Sequence, residues 1–166
     1  MKTSFLPSDG APENDDLSGA AHDKSLMTSS EPEASCVLVF NAGDPSGAGG
    51  LSADTLAIAS VGAHVLPVVT GAYARDTTEI FDHFPFDEDA VAEQARAILE
   101  DVKVQLIKVG FVGTPENLGV VAGTASDYAE VPLVAYMPNL SWWEEPLIEA
   151  YHDAFCELLL PQTTVL

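Results

Sequence analysis

Positively charged side chains are scarce in this sequence. Its 166 residues include 6 lysines and arginines against 26 aspartates and glutamates, giving a formal net charge of −20. A chain with this charge repels nucleic-acid phosphates and anionic membrane surfaces, so we expect neither nucleic acid nor a membrane as a partner. The phosphates of a nucleotide would also find few side-chain cations, and their binding would depend on backbone amides and Mg²⁺.

Cysteine and histidine are also rare. Cys36 and Cys156 form no CxxC pair, and their spacing is typical of free, buried thiols in a reducing compartment. Cys156 is expected in the core because it lies on the apolar side of a predicted helix. The 4 histidines are isolated in the sequence, so no metal site is predicted. Neither a signal peptide nor a membrane-spanning run is evident, which leads us to expect a cytoplasmic protein.

The first 34 residues differ in composition from the rest of the chain. They are rich in small, polar and acidic residues and have no sustained apolar period, so they cannot bury enough surface to offset the entropy lost on ordering. We therefore predict a disordered acidic tail over residues 1–34 and one folded domain over residues 35–166.

Strand and helix patterns alternate through the predicted domain. Short apolar runs that predict strands begin at Cys36, His64, Gln105, Val131 and Thr163. Four helices are predicted from apolar residues at helical spacing. They begin near Leu51, after a cap at Asp87, at Thr114-Pro115 and near Leu147. A polar turn is predicted over residues 73–78, and Pro67 indicates an edge position or a bulge. This order predicts an α/β three-layer sandwich with a mostly parallel sheet.

The last predicted strand begins at Thr163, close to the final residue, Leu166. Parallel strands are usually buried on both faces, so we expect the fold to be incomplete at its C-terminal end. Unpaired strand groups at an open sheet edge favour self-association. We therefore expect a homo-oligomer.

A glycine-rich turn joins the first strand to the first helix. It reads NAGDPSGAGGLSAD over residues 41–54, and its glycines permit positive φ angles and the close approach of another molecule. It is not a Walker loop, because no Gly-Lys-Ser/Thr follows, and it lacks the GxGxxG order of dinucleotide-binding folds. The turn therefore indicates a small-molecule site of another kind.

This turn resembles the GSDPSGGAGIQAD signature of hydroxymethylpyrimidine/phosphomethylpyrimidine kinases, enzymes of thiamine biosynthesis with a ribokinase-like fold. Three further segments resemble family motifs in the same order. VTGAYARDT (69–77) resembles ITALTAQNT, KVGFVG (108–113) resembles KIGMLG, and LLPQTTVL (159–166) resembles part of LLPxxxLITPN. The resemblance covers nearly all of residues 36–166 and implies the N-terminal portion of a ribokinase-like domain.

The resemblance also implies a pyrimidine-binding site. Asp54 matches the aspartate that faces the pyrimidine in the family, where a carboxylate can bind an exocyclic amine or a hydroxyl. Gly49 and Gly50 match the stretch whose backbone passes close to the ring, and Asp44 lies in the same signature. From the residues alone, Asp54 is an acid in the first turn of a helix, stabilised by the helix dipole.

The sequence departs from the family at two of the implied site positions. Arg75 stands in place of the pyrimidine-reading glutamine, and a guanidinium only donates hydrogen bonds whereas an amide also accepts them. The usual pyrimidine is therefore expected to fit poorly. The alternative for Arg75 is a surface ion pair with Asp76 or Glu79. Phe111 replaces the methionine that lines the family's pocket, a bulkier apolar side chain.

A second group of departures lies further along the chain. Tyr136 stands where the family has the aspartate of its LDPVM segment, and Trp142 and Trp143 fall where it has Lys-Ser. These positions have lost charges that would help to arrange metal and phosphate. The two tryptophans either form an exposed patch for a partner or pack under the sheet, and we favour packing.

The family transfers phosphate from ATP, with Mg²⁺, to a pyrimidine alcohol or its monophosphate. Its nucleotide site, anion hole and catalytic cysteine match no segment of these 166 residues, so we assign no catalytic residue and expect this chain to bind little ATP or Mg²⁺. We predict a phosphomethylpyrimidine kinase-like protein with a small pyrimidine ligand and little activity as this chain alone. The alternative is a non-catalytic homologue that binds a small molecule or a partner.

Overall fold

The structure is a computed structural model that describes residues 34–166. Apart from Ala34, the predicted acidic tail lies outside the described residues. Five strands are present: β1 (Cys36–Gly43), β2 (His64–Arg75), β3 (Ile80–Pro85), β4 (Leu106–Val109) and β5 (Leu133–Ala135). The α-helices are α1 (Gly50–Ser60), α2 (Glu88–Leu99), α3 (Pro115–Asp127) and α4 (Glu145–Ala154). A π-helical turn (Phe155–Leu159) and a 3₁₀ turn (Leu160–Gln162) extend α4.

The strands form one mostly parallel sheet in the order β3-β2-β1-β4-β5. β1 is parallel to β2 and β4, β4 is parallel to β5, and β3 alone pairs antiparallel, with β2. α1 joins the parallel strands β1 and β2, and α3 joins the parallel strands β4 and β5 in the opposite direction across the sheet. Because crossovers between parallel strands are right-handed, α1 and α3 cover opposite faces, and α2 packs against α3. The predicted α/β class and mostly parallel sheet are confirmed.

Most of the core lies between the sheet and helices α2, α3 and α4. β1 is buried along nearly its whole length, which explains its unbroken apolar sequence. Leu38 of β1 pairs with Leu66 and Ile107 on its two neighbours, and all three side chains are buried. α1 packs on β1 and β2 but has no buried residue. Leu56 of α1 is 70% exposed.

Two predicted helix starts are confirmed by their capping hydrogen bonds. The Asp87 carboxylate accepts a hydrogen bond from the Ala90 amide at 2.8 Å, and the Thr114 hydroxyl accepts one from the Asn117 amide at 3.1 Å. The edge position indicated by Pro67 is also confirmed, because β3 pairs only with Gly71–Arg75 of β2. Beyond that segment, the Gln94 side chain takes the place of a strand: it accepts from the Val69 amide and donates to the Val69 carbonyl.

The polar turn predicted over residues 73–78 is wrong in its first half, and β3 was not predicted. β2 continues to Arg75, and the hairpin reverses at Asp76, whose carboxylate accepts from the amides of Thr78 and Glu79. The polar side chains of this segment do not indicate a strand, because its pairing depends on β3 rather than on residues next to it in sequence. Arg75, at the end of β2, therefore lies at the end of the sheet where β1 also ends.

The C-terminal segment also differs from its prediction. The strand expected from Thr163 is only an isolated parallel bridge between Val134 and Val165. Cys156 is exposed rather than in the core, and Cys36 is half-buried, although both are free thiols as expected. The buried side of α4 and its π-helical extension is instead formed by Tyr151, Phe155 and Leu159. Among residues 34–166, no helix is both long and apolar enough to cross a membrane.

Candidate functional site

The glycine-rich turn folds around the side chain of Asp44, just after β1. One carboxylate oxygen of Asp44 accepts hydrogen bonds from the Ser46 amide at 2.8 Å and the Ser46 hydroxyl at 2.7 Å. Gly50 has a φ of +57°, and a β-carbon there would lie 2.5 Å from the Ala42 carbonyl oxygen. A β-carbon at Gly49 would lie 3.1 Å from the second Asp44 oxygen. The two glycines therefore let the start of α1 approach Asp44 closely.

Arg75 is the charge partner of Asp44. Its Nη1 lies 3.2 Å from the Asp44 carboxylate, and the two side chains are 17% and 1% exposed. Its Nε donates to the main-chain oxygen of Asp76 at 2.9 Å. The surface ion pair with the Asp76 or Glu79 carboxylate is therefore wrong, because the carboxylate that Arg75 pairs with is that of Asp44. One oxygen of the Asp76 carboxylate accepts from the amides of Glu79 and Thr78, and these hydrogen bonds lower its pKa.

Asp54 lies on α1 beside this turn, where two side chains bind it. Its carboxylate accepts a hydrogen bond from Asn41 Nδ2 at 2.7 Å and forms an ion pair with Lys108 of β4. The side-chain oxygen of Asn41, Oδ1, accepts from the amides of Ala42 and Phe111. Asn41 and Lys108 were not singled out in the sequence, and their link to Asp54 arises because β1 and β4 are neighbours in the sheet.

A small cleft opens at the carboxyl ends of the parallel strands, the usual location of ligands in open α/β sheets. Its volume is about 160 Å³. The lining residues are Asn41, Asp44, Gly49, Gly50, Tyr73, Arg75, Ile80, Phe111, Tyr136, Pro138, Asn139 and Trp142. Five of the six predicted site residues are therefore brought together here, and Asp54 lies behind Asn41 rather than in the lining. This volume suits one small ring rather than a drug-sized ligand.

Aromatic side chains form one wall of the cleft, with Phe111 at the centre. Tyr73 stacks on Phe111 with ring centroids 5.7 Å apart, while Trp142 and Trp143 meet it edge-on at 5.8 and 5.3 Å. Tyr151 packs behind it at 5.2 Å, and its hydroxyl accepts a hydrogen bond from the Val112 amide. The tryptophans are partly buried against the core, which confirms packing rather than an exposed patch. Burial raises the pKa of Tyr73 and of Tyr151, so both hydroxyls stay protonated.

His83 of β3 lies beneath this wall in a closely packed position. Its ring contacts Phe111 and Tyr73 edge-on, with centroids 4.8 and 5.3 Å apart. Its Nε2 is buried with no hydrogen-bond partner among the described residues. A β-carbon at Gly113 would lie 2.4 Å from its ring. Burial lowers the pKa of His83 to about 4, a shift that the nearby Asp82 carboxylate opposes in part, so the imidazole is neutral at neutral pH.

His83 should make the fold sensitive to mild acid. Between the ordinary pKa of 6.5 and the folded value of about 4, the unfolded chain binds a proton that the folded chain does not. The free energy of unfolding should therefore fall as the pH drops through this window, by about 3 kcal/mol at its lower end. Urea denaturation of the wild type and of His83→Leu at pH values across this window measures the contribution.

The difference between the two proteins identifies the histidine, because acidic groups titrate in both. We expect the stability of His83→Leu to depend less on pH over this window. His152→Gln, which replaces an exposed histidine on α4, is the matched control and should retain the wild-type dependence. Identical pH dependence in the wild type and His83→Leu would contradict the prediction.

Charged side chains near the cleft are few, and they are paired with each other. Within residues 34–166, no three His, Cys, Asp or Glu side chains gather closely enough to hold a cation. The two cations near the cleft, Arg75 and Lys108, are already paired with Asp44 and Asp54. The arrangement is suited to holding an uncharged ring, and no step of phosphate transfer follows from it.

The sequence is similar to that of known proteins. Residues 44–166 match the family described as phosphomethylpyrimidine kinase. The hydroxymethylpyrimidine/phosphomethylpyrimidine kinase of Mycobacterium bovis is 30% identical over 132 residues, which are 78% of this chain and 48% of that protein. The corresponding enzyme of Escherichia coli is 27% identical over 124 residues, 74% of this chain and 47% of that protein. The chain thus spans about half the length of these kinases.

Two solved structures share the fold. A phosphomethylpyrimidine kinase from Clostridium difficile superposes with a TM-score of 0.70 at 23% identity, covering 78% of this chain and 56% of that chain. A pyridoxal kinase from Bacillus subtilis superposes with a TM-score of 0.70 at 22% identity, covering 80% of this chain and 51% of that chain. These likenesses show the ribokinase-like fold, and the family match extends over well over half of the sequence. The chain belongs to the phosphomethylpyrimidine kinase family.

Proposed function

We propose that this chain binds a hydroxymethylpyrimidine-like alcohol in the cleft, as the substrate-side portion of a thiamine-biosynthetic kinase. The relatives named above support the pyrimidine class, and the cleft itself carries the proposal. Tyr73, Phe111 and Trp142 offer ring faces, while the backbone at Gly49 and Gly50 leaves room for close approach. Aromatic faces beside a few fixed polar groups are the usual lining of a site for a flat heterocycle.

Asp54 takes part in this proposal as a positioning residue. It lies behind Asn41 rather than in the lining of the cleft, and Asn41 and Lys108 both bind one oxygen of its carboxylate, Oδ2. By holding Asn41, it fixes the amides of Ala42 and Phe111 that Asn41 accepts from, and so the position of the Phe111 ring. Its replacement should therefore disturb the cleft without removing a direct ligand contact.

Fluorescence titration with hydroxymethylpyrimidine tests the binding. The sequence has 2 tryptophans, and both Trp142 and Trp143 lie beside the cleft, so a bound ring should change their emission. We expect saturable binding that weakens about tenfold in Asp54→Ala, roughly the effect of one lost hydrogen-bonding network. Asp54→Asn, which can still accept from Asn41, should weaken binding less.

The matched control for these variants is Asp153→Ala, which removes an exposed carboxylate from α4 and should bind like the wild type. Absence of any saturable change in tryptophan emission, with hydroxymethylpyrimidine and with other pyrimidine alcohols alike, would contradict the proposed function. Equal binding by Asp54→Ala and the wild type would contradict only the role given to Asp54.

For phosphate transfer, we propose that these 166 residues have little activity by themselves. The absence of a cation-binding cluster within residues 34–166 and the neutralised Arg75 and Lys108 support this part of the proposal. They equally favour the second candidate, a non-catalytic homologue that binds a small molecule. An assay of ATP-dependent phosphorylation of hydroxymethylpyrimidine separates activity from binding. Turnover that is lost in Asp54→Ala would show that the chain is itself an active kinase.

A further inference from the structure

The cleft has two charged lining residues, and they neutralise each other. Asp44 and Arg75 form an ion pair of 3.2 Å, with the Asp44 side chain 1% exposed. A carboxylate buried to this degree needs a partner charge, and the guanidinium supplies it. The lining therefore offers little net charge to a ligand. Recognition of a ring must depend on which edge atoms donate and which accept hydrogen bonds.

The guanidinium is held at a fixed angle, with part of it turned to the ligand space. Nη1 is bound to Asp44 and Nε to the Asp76 carbonyl oxygen. Nη2 donates to no residue in the described part of the chain. Arg75 lines both the inner cleft and an adjoining outer depression, together with Asn139 and Trp142. Its remaining N–H groups are thus placed at the boundary that a bound ring would face.

The acceptor beside Arg75 is already engaged. One oxygen of Asp44 accepts from the amide and hydroxyl of Ser46, and the other accepts from Arg75. The Asp44 side chain is also 1% exposed, so an exocyclic amine on the ligand would meet guanidinium donors before it could reach the carboxylate. A guanidinium has no acceptor, so two donors would face each other and remain unpaired.

We infer that Arg75 is a specificity-determining residue, which makes the cleft prefer a pyrimidine alcohol with ring-edge oxygen acceptors over one with an exocyclic amine. The inference rests on the proposed function, that the cleft binds a pyrimidine ring. An oxo group accepts from the guanidinium, whereas an exocyclic amine turned towards the guanidinium offers it only donors. Sites built around a hydrogen bond reject the mismatched analogue strongly.

The test compares two ligands that share the ring and the hydroxymethyl group. Hydroxymethyluracil presents an oxo group where hydroxymethylpyrimidine presents its amine, and a second oxo group where it presents a methyl group, so it offers ring-edge acceptors at both positions. In titrations followed by tryptophan fluorescence, we expect the wild-type protein to bind hydroxymethyluracil at least ~10-fold more tightly. Arg75→Gln, whose amide both donates and accepts, should remove or reverse that preference. Arg96→Gln removes the other arginine of the chain, exposed on α2, and should retain the wild-type preference.

Loss of Arg75 leaves the buried Asp44 carboxylate without its cation, so Arg75→Gln could unfold. The double variant Asp44→Asn/Arg75→Gln keeps the position neutral and should show the same change in preference, with urea denaturation as the check that each protein is folded. Tighter or equal binding of hydroxymethylpyrimidine by the wild type overturns the inference and leaves the proposed function standing. An unchanged preference in both folded variants also overturns it. Binding of neither ligand by the wild type overturns the inference and the proposed function together.

Discussion

Replacement of Phe111 by alanine is expected to lower the free energy of unfolding by about 3–5 kcal/mol, the range for removal of a buried aromatic side chain. Phe111 is 2% exposed and lies at the centre of the aromatic wall. The rings that contact it belong to Tyr73, His83, Trp142, Trp143 and Tyr151. Alanine leaves a cavity among rigid rings that cannot collapse to fill it. Urea denaturation followed by circular dichroism measures the loss.

Phe81 provides the matched control for this prediction. It lies on β3 and is 63% exposed, so Phe81→Ala should change the free energy of unfolding by less than about 0.5 kcal/mol. Phe111→Met, which restores the flexible side chain that the resemblance places here, should lose less than about 1.5 kcal/mol. Equal losses for Phe111→Ala and Phe81→Ala would contradict the central packing role of Phe111.

Replacement of Gly50 by alanine is expected to lower the free energy of unfolding by about 3 kcal/mol, through left-handed backbone strain and a steric clash together. The φ of Gly50 is +57°, and the new β-carbon would lie 2.5 Å from the Ala42 carbonyl oxygen and 2.9 Å from the β-carbon of Asp44. Neither atom is the end of a flexible side chain, so the start of α1 must shift away from β1. Urea denaturation measures the stability, and tryptophan fluorescence follows the expected loss of ligand binding.

Gly47 lies in the same turn and separates the two causes. Its φ is +72°, but no atom lies within 4 Å of the position that a β-carbon would take. Gly47→Ala should therefore lose only about 1–2 kcal/mol, from backbone strain alone. If the two alanine variants were equally stable, the close approach of α1 to Asp44 would not contribute to the fold as described.

Local signals account for the parts of the fold that could be predicted from the sequence. The caps Asp87 and Thr114 accept from amides three residues further along the chain, so a short stretch of sequence is enough to predict them. The apolar run of β1 reflects burial on both faces, which requires no knowledge of its partners. β3 has no such signal, because its place in the sheet depends on pairing with β2, and its exposed side chains include Phe81 and Phe84.

The exposure of Cys156 could not be predicted from the sequence, for a different reason. Helical spacing assumes one constant rotation per residue, and the π-helical turn Phe155–Leu159 departs from it. The buried positions then follow a spacing of four residues, Tyr151, Phe155 and Leu159, and Cys156 points to solvent beside them. A sequence window gives no sign of this local change.

The site shows the same division between local motif and distant contact. Similarity to family motifs identified five residues that do line the cleft, Asp44, Gly49, Gly50, Arg75 and Phe111. Similarity to these motifs did not predict which charged side chains pair with each other. Arg75 meets Asp44 across 31 positions of sequence, and Lys108 meets Asp54 across 54. Such pairs depend on the order of strands in the sheet, which sets the neighbours of each strand end.

The buried ion pair of Asp44 and Arg75 also constrains how this site could have arisen. Loss of either charge alone leaves the other without compensation, at a cost of about 3–5 kcal/mol, which is a large part of the stability of an ordinary domain. A mutation that exchanges an amide and a guanidinium at position 75 should therefore lower the free energy of unfolding, unless residues beside Asp44 change with it. The family motifs keep an aspartate at position 44 beside a glutamine at position 75, so the compensating changes are expected among the other groups around Asp44 rather than at Asp44 itself.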